Sequence, residues 1–507
     1  MTDPQTIPVI VGVADLAWGR AGSPAEPREP LELIGAAAQQ ALDDTGVPDL
    51  GHHVDAIYAV KTASWAYDHL PALIADRIGA SSPRTVTSTI GGHWPTALLD
   101  RIGSEIADGS SSVALLIGGE AQASVKALMK SGTDPGSLGW VVEPGGMPTF
   151  SPEDLGSIEM QRAGALTPTR VYPLFENRLG YELGQTPQQS LASSAELYSD
   201  FSDIASGHPC AWSPNTRSAD DIGTPGVGNR LVSDAYPLAM NAMPFVDQAA
   251  AVVICSLAIA TEFGVAEDRL VYLWGGAGAS DTADILARST FGSTPALESA
   301  AGRTLSQAGV DAADLSIVDA YSCFPVVPKL LIRTLGLPDR SVPSVLGGHS
   351  FFGGPLNSYT LHSIAEVTRL LRTDDSDAVA LVHGNGGYLT HQHTVLMSRR
   401  AHRRGYVGDP TPRVISANVP PPAHDYDGDA EIFTATVEYD RAGLPAVGVV
   451  IASTPDGRRV AGHTDSADAA ALIAYTNGGT RSLIGAHIRI TDRGGLLAVS
   501  IEDEAHS

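Results

Sequence analysis

A unit of strand, glycine turn, helix and strand can be recognised in residues 84–120, and it constrains the fold more than any other feature. The β-branched run at 85–90 predicts a strand, and the pair Gly91-Gly92 predicts the turn that follows it. Pro95 suits the first turn of a helix, because its missing N–H leaves no donor unpaired there. The helix then has one apolar face, which consists of Leu98, Leu99, Ile102 and Ile106.

The helix of this unit is predicted to end at Gly109, and an apolar run at 113–117 follows it before Gly118 and Gly119. Such a run suits a strand that is covered on both faces of a parallel sheet. At the glycine turn, free N–H groups and the positive end of the helix dipole would face any group that approaches. A thioester carbonyl, a phosphate or no ligand at all could occupy that place.

The same pattern occurs a second time in residues 353–387. The Gly353-Gly354-Pro355 turn corresponds to the first glycine turn, and the run 377–382 corresponds to the closing strand. A repeat at this distance predicts two related α/β halves rather than a solenoid. Two facing halves would direct two helix N-termini into one shared pocket, whereas two ordinary crossovers without a shared site would give the same spacing. The helical face and the closing glycines of this unit are Leu361, Ile364, Thr368 and Leu371, and Gly384, Gly386 and Gly387.

The other elements of the two halves follow from short apolar runs and helical spacing. Between them, residues 121–236 are rich in Gly, Pro, Ser and Asp and include short helical pieces such as 189–198. Because this stretch is too long for a structureless connection, we expect a loop domain that lies over the pocket. Strands are predicted at residues 9–14, 56–60, 249–260, 270–276, 315–321 and 395–398, and helices at 31–42, 70–78 and 297–308.

The composition changes near Arg400, where arginines cluster in residues 399–404 and a proline run follows at 420–422. The arginines are most simply a solvated linker, but they could also receive the phosphates of a nucleotide-like ligand. Beyond them, short alternating strands separated by turn pairs predict a small β-barrel. Its strands are predicted at residues 432–439, 446–453, 459–464, 471–475, 483–491 and 496–501.

The predicted organisation is therefore an α/β protein of three domains. An N-terminal half covers residues 1–265 and includes the loop domain at about 121–240, a C-terminal half covers 266–402, and the barrel covers 403–507.

Composition excludes several classes of protein. A chain of 507 residues with 43% hydrophobic and 18% charged residues has the balance of a soluble globular protein. Its net charge of −25 would repel nucleic acid and anionic membranes, although a solvated acidic surface explains it as well. The three cysteines lie far apart, which predicts no disulfide framework, no metal site and a cytoplasmic location. No apolar stretch has the length of a signal peptide or a membrane span.

Four segments, in the expected order within residues 8–398, resemble motifs of the thiolase superfamily. The resemblance implies a thiolase-like, duplicated five-layer α-β-α-β-α fold. The C-terminal region adds a small antiparallel β-barrel that resembles the OB-like (oligonucleotide-binding-type) partner subunits of some thiolase-like acyltransferases and aldolases. The segments are 241–251 for Asn-Ala-Ser…Asp-Gly-Ala-Ala-Ala, 319–324 for the His-Asp-Cys-Phe of sterol-carrier-protein type thiolases, 346–355 for Gly-Gly…Gly-His-Pro and 383–387 for Cys-x-Gly-Gly-Gly.

The catalytic side chains that the resemblance implies are all replaced in this sequence. The nucleophilic cysteine would stand at Gly91-Gly92-His93, and the histidine that activates it aligns with Gly354. The second cysteine aligns with Val382, and the Asn or His of the oxyanion hole aligns with Tyr321. Without the thiol no covalent acyl-enzyme can form, so we expect no ordinary thiolase activity.

Several groups could still act on a thioester. The N–H groups of residues 91–93 and 383–386 could hold its oxygen, and four side chains near the pocket could transfer protons. Structural use, as core filling or as partners of backbone carbonyls, is slightly favoured for each of them. Cys323 is interpreted as a buried, inert thiol rather than a nucleophile. The proton-transfer candidates are His93, His349, His383 and Tyr321, and the substrate-binding candidates are Gly91, Gly92, Gly353, Gly354, Gly384, Asn385, Gly386 and Met243.

Two functions follow from the resemblance to type-1 thiolase-like proteins of acetyl-CoA acetyltransferase descent. The first is a non-catalytic binder of acyl-CoA thioesters, with coenzyme A esters as ligand and no covalently bound cofactor. The alternative is an acyltransferase or aldolase that uses Tyr and His proton transfer. The barrel is interpreted as an acyl-CoA-facing or substrate-closing module, and a homodimer is possible. A scaffold without a small ligand is a third possibility.

Overall fold

Two halves of the chain share one large β-sheet, and a separate barrel follows them. The computed structural model describes residues 3–23, 25–148, 156–374, 377–415, 419 and 422–501. The strands of the large sheet are β1 (Pro8–Ala17), β2 (Ala56–Ala59), β3 (Arg84–Thr87), β4 (Val113–Ala121), β5 (Asp247–Ser256), β6 (Val271–Ser280), β7 (Ile317–Asp319), β8 (Val379–Gly386), β9 (His391–Ser398) and β10 (Asp409–Val414).

The strand order shows the duplication. The first half is ordered β3-β2-β4-β5-β1 and the second β6-β9-β8-β7, with β10 added beside β6. In the first half β5 lies between β1 and β4, as β9 lies between β6 and β8 in the second, and β4 and β8 also pair in parallel with β2 and β7. Only two residue pairs, Val9 with Tyr272 and Ile10 with Val271, join the halves through β1 and β6. The prediction of two related α/β halves is confirmed.

The helices of the thiolase-like region lie on both outer faces and between the halves. They are α1 (Pro30–Asp44), α2 (Leu70–Ile78), α3 (Trp94–Ala107), α4 (Gln122–Ser131), α5 (Ile158–Arg162), α6 (Pro168–Glu182), α7 (Pro187–Ser206), α8 (Ala219–Gly223), α9 (Leu257–Glu262), α10 (Pro295–Ala308), α11 (Val326–Leu335), α12 (Gly348–Phe351) and α13 (Tyr359–Thr373).

The helices of the two repeated units form the central layer. The apolar face of α3 and that of α13 belong to one buried cluster, which also contains inward side chains of both halves of the sheet. Helices α1 and α2 cover the outer face of the first half, and α10 and α11 contribute to the buried cluster of the second half. Burial of these faces supplies the main stabilising force of the five layers.

The barrel has five strands and closes completely, in the order β11-β12-β13-β15-β14. Four of its neighbouring pairs are antiparallel, and β13 and β15 run parallel. The elements are β11 (Asp427–Tyr439), β12 (Pro445–Ser453), β13 (Arg459–Thr464), α14 (Ser466–Tyr475), β14 (His487–Arg493) and β15 (Leu496–Ile501). The prediction of a separate small barrel is confirmed.

Several predicted boundaries were wrong because polar caps start helices there. The predicted strand at 249–260 ends at Ser256, whose hydroxyl accepts a hydrogen bond from the N–H of Ile259 and begins α9. Residues 471–475, predicted as a strand, lie in α14, which Asp465 caps. The piece at 189–198 belongs to the longer helix α7, where Thr186 and Gln189 form a capping box.

The arginine cluster after β9 contacts the second half of the fold. Arg399 donates to the backbone oxygen of Asp268 over 2.6 Å, and Arg400 pairs with Asp377 over 2.9 Å. Arg404 donates to the backbone oxygen of Gln307. Among the described residues, no helix is both long enough and apolar enough to cross a bilayer.

Candidate functional site

A cavity of about 560 Å³, partly open to solvent, lies between the two halves, and we call it the interhalf cavity. Of the twelve proton-transfer and substrate-binding candidates, six line it: Gly91, Gly92, Tyr321, His349, Gly354 and Asn385. The other lining residues are Lys61, Thr89, Ile90, Gly156, Pro168, Tyr172, Ala242, Pro244, Ala283, Cys323, Phe324, Leu356, Asn357, Gly387, Tyr388, Thr390 and His391.

The glycine turn of the first half is held by a side chain of the second. The Gly91 N–H donates to Asn357 Oδ1 over 2.9 Å, and Asn357 Nδ2 donates to the Lys61 oxygen over 2.9 Å. Gly91 has a φ of +149°, which favours glycine. The N–H of Gly91, one of the donors expected to be free at the turn, is therefore already paired.

Tyr321 follows β7, and its phenol reaches the glycine turn. A Cβ atom placed on Gly92 would lie 2.5 Å from Tyr321 Cε2 and 2.6 Å from Tyr321 Oη. The phenol thus fills the space into which a side chain at position 92 would project. Burial raises the pKa of Tyr321 well above its ordinary value, so the group is a neutral hydroxyl at physiological pH.

His349 lies on α12 beside Tyr321, and it lacks hydrogen-bond partners. It is 2% exposed, and neither ring nitrogen has a partner among the described residues. Its ring stacks on Tyr359 at 3.6 Å and lies 4.4 Å from the ring of Tyr321. A Cβ atom on Gly354 would come within 3.3 Å of His349 Cδ2. Burial lowers the pKa of His349 to about 3, so the imidazole is neutral.

His383 and His93 do not line the cavity. His383 Nε2 lies 2.7 Å from Gln392 Oε1, and Gln392 Nε2 donates to Asn385 Oδ1 over 2.7 Å. The His383 side chain is thus connected to the cavity through Gln392 and Asn385, whose Nδ2 donates to Tyr172 Oη over 3.1 Å, and its backbone oxygen accepts from the Tyr321 N–H over 3.2 Å. His93 is the residue just before α3, and its half-buried ring stacks on that of His391. Burial lowers the pKa of both imidazoles, to about 4 for His383.

Four other predicted binding residues stand behind the cavity wall rather than in it. Gly353, Gly384 and Gly386 each allow close packing, because a Cβ atom there would meet Gln248, Thr96 or His93. Met243 supports the wall through its backbone. Its N–H donates to the His349 oxygen over 3.0 Å, and its oxygen accepts from the Gly354 N–H over 2.9 Å.

The sequence did not point to two lining side chains that could meet a ligand, His391 and Tyr172. His391 has its Nδ1 2.8 Å from Ser280 Oγ and stacks on His93 at 4.8 Å. Tyr172 comes from α6 and donates to the Gly387 oxygen over 2.9 Å. Cys323, interpreted as inert, does line the cavity, but burial raises its thiol pKa to about 12 and keeps it protonated. The position of His391, at the end of the turn that begins at Gly387, was the available signal.

Two other places could have offered sites. A cavity of about 270 Å³ lies between α6, α7 and the barrel, and the predicted site residues do not line it.

The second place is a cluster of three possible metal ligands. The ligand atoms of Asp15, His208 and Cys210 lie within 4.8 Å of one another. However, the Asp15 carboxylate already contacts Arg369 at 2.6 Å and His362 at 3.2 Å, and His208 Nδ1 accepts from the Cys210 N–H. The side chains of the cluster therefore already belong to a network of ion pairs and hydrogen bonds within the protein.

Comparison with known proteins supports the fold and the barrel separately. Residues 410–494 match the family described as "Thiolase-like protein type 1 additional C-terminal domain". An acetyl-CoA acetyltransferase of Methanocaldococcus jannaschii is 23% identical over 308 residues, which cover 60% of this chain and 70% of that protein.

Solved structures resemble the chain over most of its length. A monomeric SCP2-thiolase-like protein type 1 from Mycobacterium smegmatis has a TM-score of 0.81 and 28% identity, over 99% of this chain and 100% of that one. An Ltp2-ChsH2(DUF35) aldolase has a TM-score of 0.58 and 18% identity, over 78% and 99%. The Acat5 thiolase of Ascaris suum in complex with coenzyme A has a TM-score of 0.56 and 14% identity, over 77% and 99%.

Proposed function

Because this chain has a thiolase-like fold and carries the additional C-terminal domain of type 1 thiolase-like proteins, we propose that the interhalf cavity binds acyl-CoA thioesters. The observation that carries the proposal is His349. A buried imidazole whose nitrogens are not bonded to protein groups within hydrogen-bonding distance offers a donor and an acceptor to a ligand in the cavity. His349 lines a cavity of a size that suits small-molecule sites, and the cavity combines apolar walls with a few polar groups.

Two similar proteins support coenzyme A esters as the ligand class. One is an acetyl-CoA acetyltransferase, and another is a thiolase in complex with coenzyme A. Lys61 stands exposed at the cavity, where a cation favours phosphate or thioester oxygen atoms. The ligand would be bound without a covalent link to the protein.

Ordinary thiolase chemistry does not follow from this arrangement. Position 92 is glycine, and the space beside it holds the Tyr321 phenol rather than a thiol. Cys323 lines the cavity, but its raised pKa leaves almost no thiolate at neutral pH. A covalent acyl-enzyme on a cysteine is therefore not part of the proposal.

The experiment is a titration of the protein with coenzyme A, acetyl-CoA and longer acyl-CoA esters by calorimetry and thermal shift. Wild-type protein should bind at least one ester, and His349→Ala should weaken binding by about tenfold, the loss expected for one buried hydrogen bond. Asn215→Ala, a change of an exposed side chain, is the matched control and should bind like the wild type. Absence of any shift with every ester would favour a scaffold without a small ligand.

A second candidate function is enzymatic, and the pairing of Tyr321 with His349 favours it. Their neutral hydroxyl and imidazole fill the spaces beside Gly92 and Gly354, where the family places its nucleophile and its histidine. Such a pair could donate a hydrogen bond to a carbonyl and move a proton in an acyl transfer or an aldol cleavage. Acyl-CoA esters incubated with protein and analysed by mass spectrometry test this. Turnover that Tyr321→Phe abolishes supports the enzyme, and tight binding without product supports the binder.

A further inference from the structure

Two buried arginines stand behind one wall of the interhalf cavity. Arg288 is 3% exposed and Arg459 is 8% exposed. Within the described part of the chain, neither guanidinium has a carboxylate oxygen within 4.0 Å, although Asp281 and Asp284 act on Arg288 from farther away. Both side chains are instead bonded to uncharged oxygens.

Arg288 is bonded directly to the cavity wall. Its Nη1 donates to the Tyr388 oxygen over 2.6 Å, and its Nη2 donates to Thr390 Oγ1 over 2.9 Å. Tyr388, Thr390 and His391 all line the cavity. The charge of Arg288 also contributes to the lowered pKa of His391, after burial, so its field reaches the wall.

Arg459 comes from β13 of the barrel and holds the segment that carries Arg288. Its Nη1 donates to the Leu286 oxygen over 3.0 Å and to the Arg288 oxygen, and its Nη2 donates to the Ser289 oxygen over 3.4 Å. The barrel does not line the cavity itself, and Arg459 connects it to the cavity through this segment.

The neighbouring Arg178, unlike Arg459, has its charge compensated by a carboxylate. Arg178 and Arg459 lie over the same ring, Phe433, at 4.5 and 4.6 Å. Arg178 has a carboxylate partner, Glu182, at 3.0 Å, whereas Arg459 has none within the salt-bridge distance in the described residues. Buried charge without a counter-ion is expensive, so an anion that reaches this wall would be stabilised.

We propose that the wall formed by Tyr388, Thr390 and His391 receives an anionic group of the ligand, and that Arg288, positioned by Arg459 of the barrel, supplies the attracting charge. This inference rests on the proposed acyl-CoA function and specifies its ligand. The anion is a carboxylate on the acyl chain or the 3′-phosphate of the coenzyme A portion. Both present the same negatively charged oxygens to the wall.

The test in wild-type protein compares pairs of ligands that differ in one anionic group. An acyl-CoA with a terminal carboxylate is titrated beside the ester of equal length that ends in a methyl group, and coenzyme A beside dephospho-coenzyme A. The charged member of at least one pair should bind about tenfold more tightly, which is the difference expected for one partly screened interaction between two charges. Which pair shows the preference identifies the source of the anion.

Variants then assign the preference to the arginines. Arg288→Gln should bring the ratio of charged to uncharged affinity close to one, Arg288→Lys should retain part of the preference, and Arg459→Gln should reduce it. Arg178→Gln, the matched control, should retain it fully. If uncharged and charged esters bind equally to the wild type, this inference is wrong and the proposed function stands. If no ester binds, both are wrong. The wild-type comparison decides the matter even if Arg288→Gln fails to fold.

Discussion

The hydroxyl of Tyr321 lies in the space that any side chain on Gly92 would need, since a Cβ atom there would be 2.6 Å from Oη. The two residues come from different halves of the chain, and each restricts what the other can be. A larger residue at position 92 would therefore clash with the phenol. The packing of Tyr321 thus leaves no room for a nucleophilic side chain at this turn.

We predict that Gly92→Ala destabilises the protein by about 1–3 kcal/mol, the usual cost of overpacking a filled core. The added methyl group would meet the Tyr321 ring and also the backbone oxygen of Asn385 at 2.7 Å. Gly302→Ala, on an exposed face of α10 with open space around it, is the control and should be stabilising by about 0.5–1 kcal/mol. Urea unfolding of both variants measures the difference, and an unchanged midpoint for Gly92→Ala contradicts the packing account.

Asn357→Ala should cost about 1–3 kcal/mol of unfolding free energy, because it leaves the buried N–H of Gly91 without an acceptor. The same change removes the donor to the Lys61 oxygen. Hydrogen exchange at Gly91 should become faster if Asn357 holds the turn. The turn would be self-supporting, contrary to this account, if exchange and stability were both unaffected.

Stability should depend on pH through Asp319, at the end of β7. Burial raises its pKa from 3.8 to about 7, and Oδ2 has no hydrogen-bond partner among the described residues. The folded state therefore holds the proton more tightly than the unfolded state. This contribution is fully present below about pH 4 and is lost as the pH rises through about 7.

The change Asp319→Asn removes this titration while keeping the shape of the side chain. Relative to the wild type, the variant should gain stability between pH 4 and pH 7, by up to about 4 kcal/mol. Chemical denaturation at a series of pH values gives the difference curve. A flat difference would mean that Asp319 is not held protonated in the fold.

Periodicity in the sequence predicted the layers well because burial decides them. Leu98 and Ile102 on α3, and Leu361 and Ile364 on α13, recur at helical spacing and all lie in the central cluster. Local caps were harder to predict. Ser256 begins a helix within an apolar run that hydrophobicity alone predicts to continue as a strand. A hydroxyl that accepts one backbone N–H is enough to change strand into helix there.

The candidate site was only partly predictable, because its side chains meet through tertiary packing. Tyr321 and His349 were found through motifs that resemble the family, and both line the cavity. His383 belongs to another of these motifs, but its side chain contacts Gln392 instead of lining the cavity, and His93, at the first glycine turn, stacks on His391 without lining the cavity. The hydrogen bond from Arg459 to the Arg288 oxygen joins the barrel to the segment behind the cavity wall, and no local sequence pattern predicts it.

The most direct measurement of the central claim is a crystal of the protein soaked with a non-hydrolysable acyl-CoA analogue. The account predicts electron density for the acyl group in the interhalf cavity, with its carbonyl oxygen within hydrogen-bonding distance of Tyr321 Oη or a nitrogen of His349. Density for the analogue only elsewhere, such as between α6, α7 and the barrel, or an interhalf cavity that stays free of ligand at saturating concentration, would contradict it.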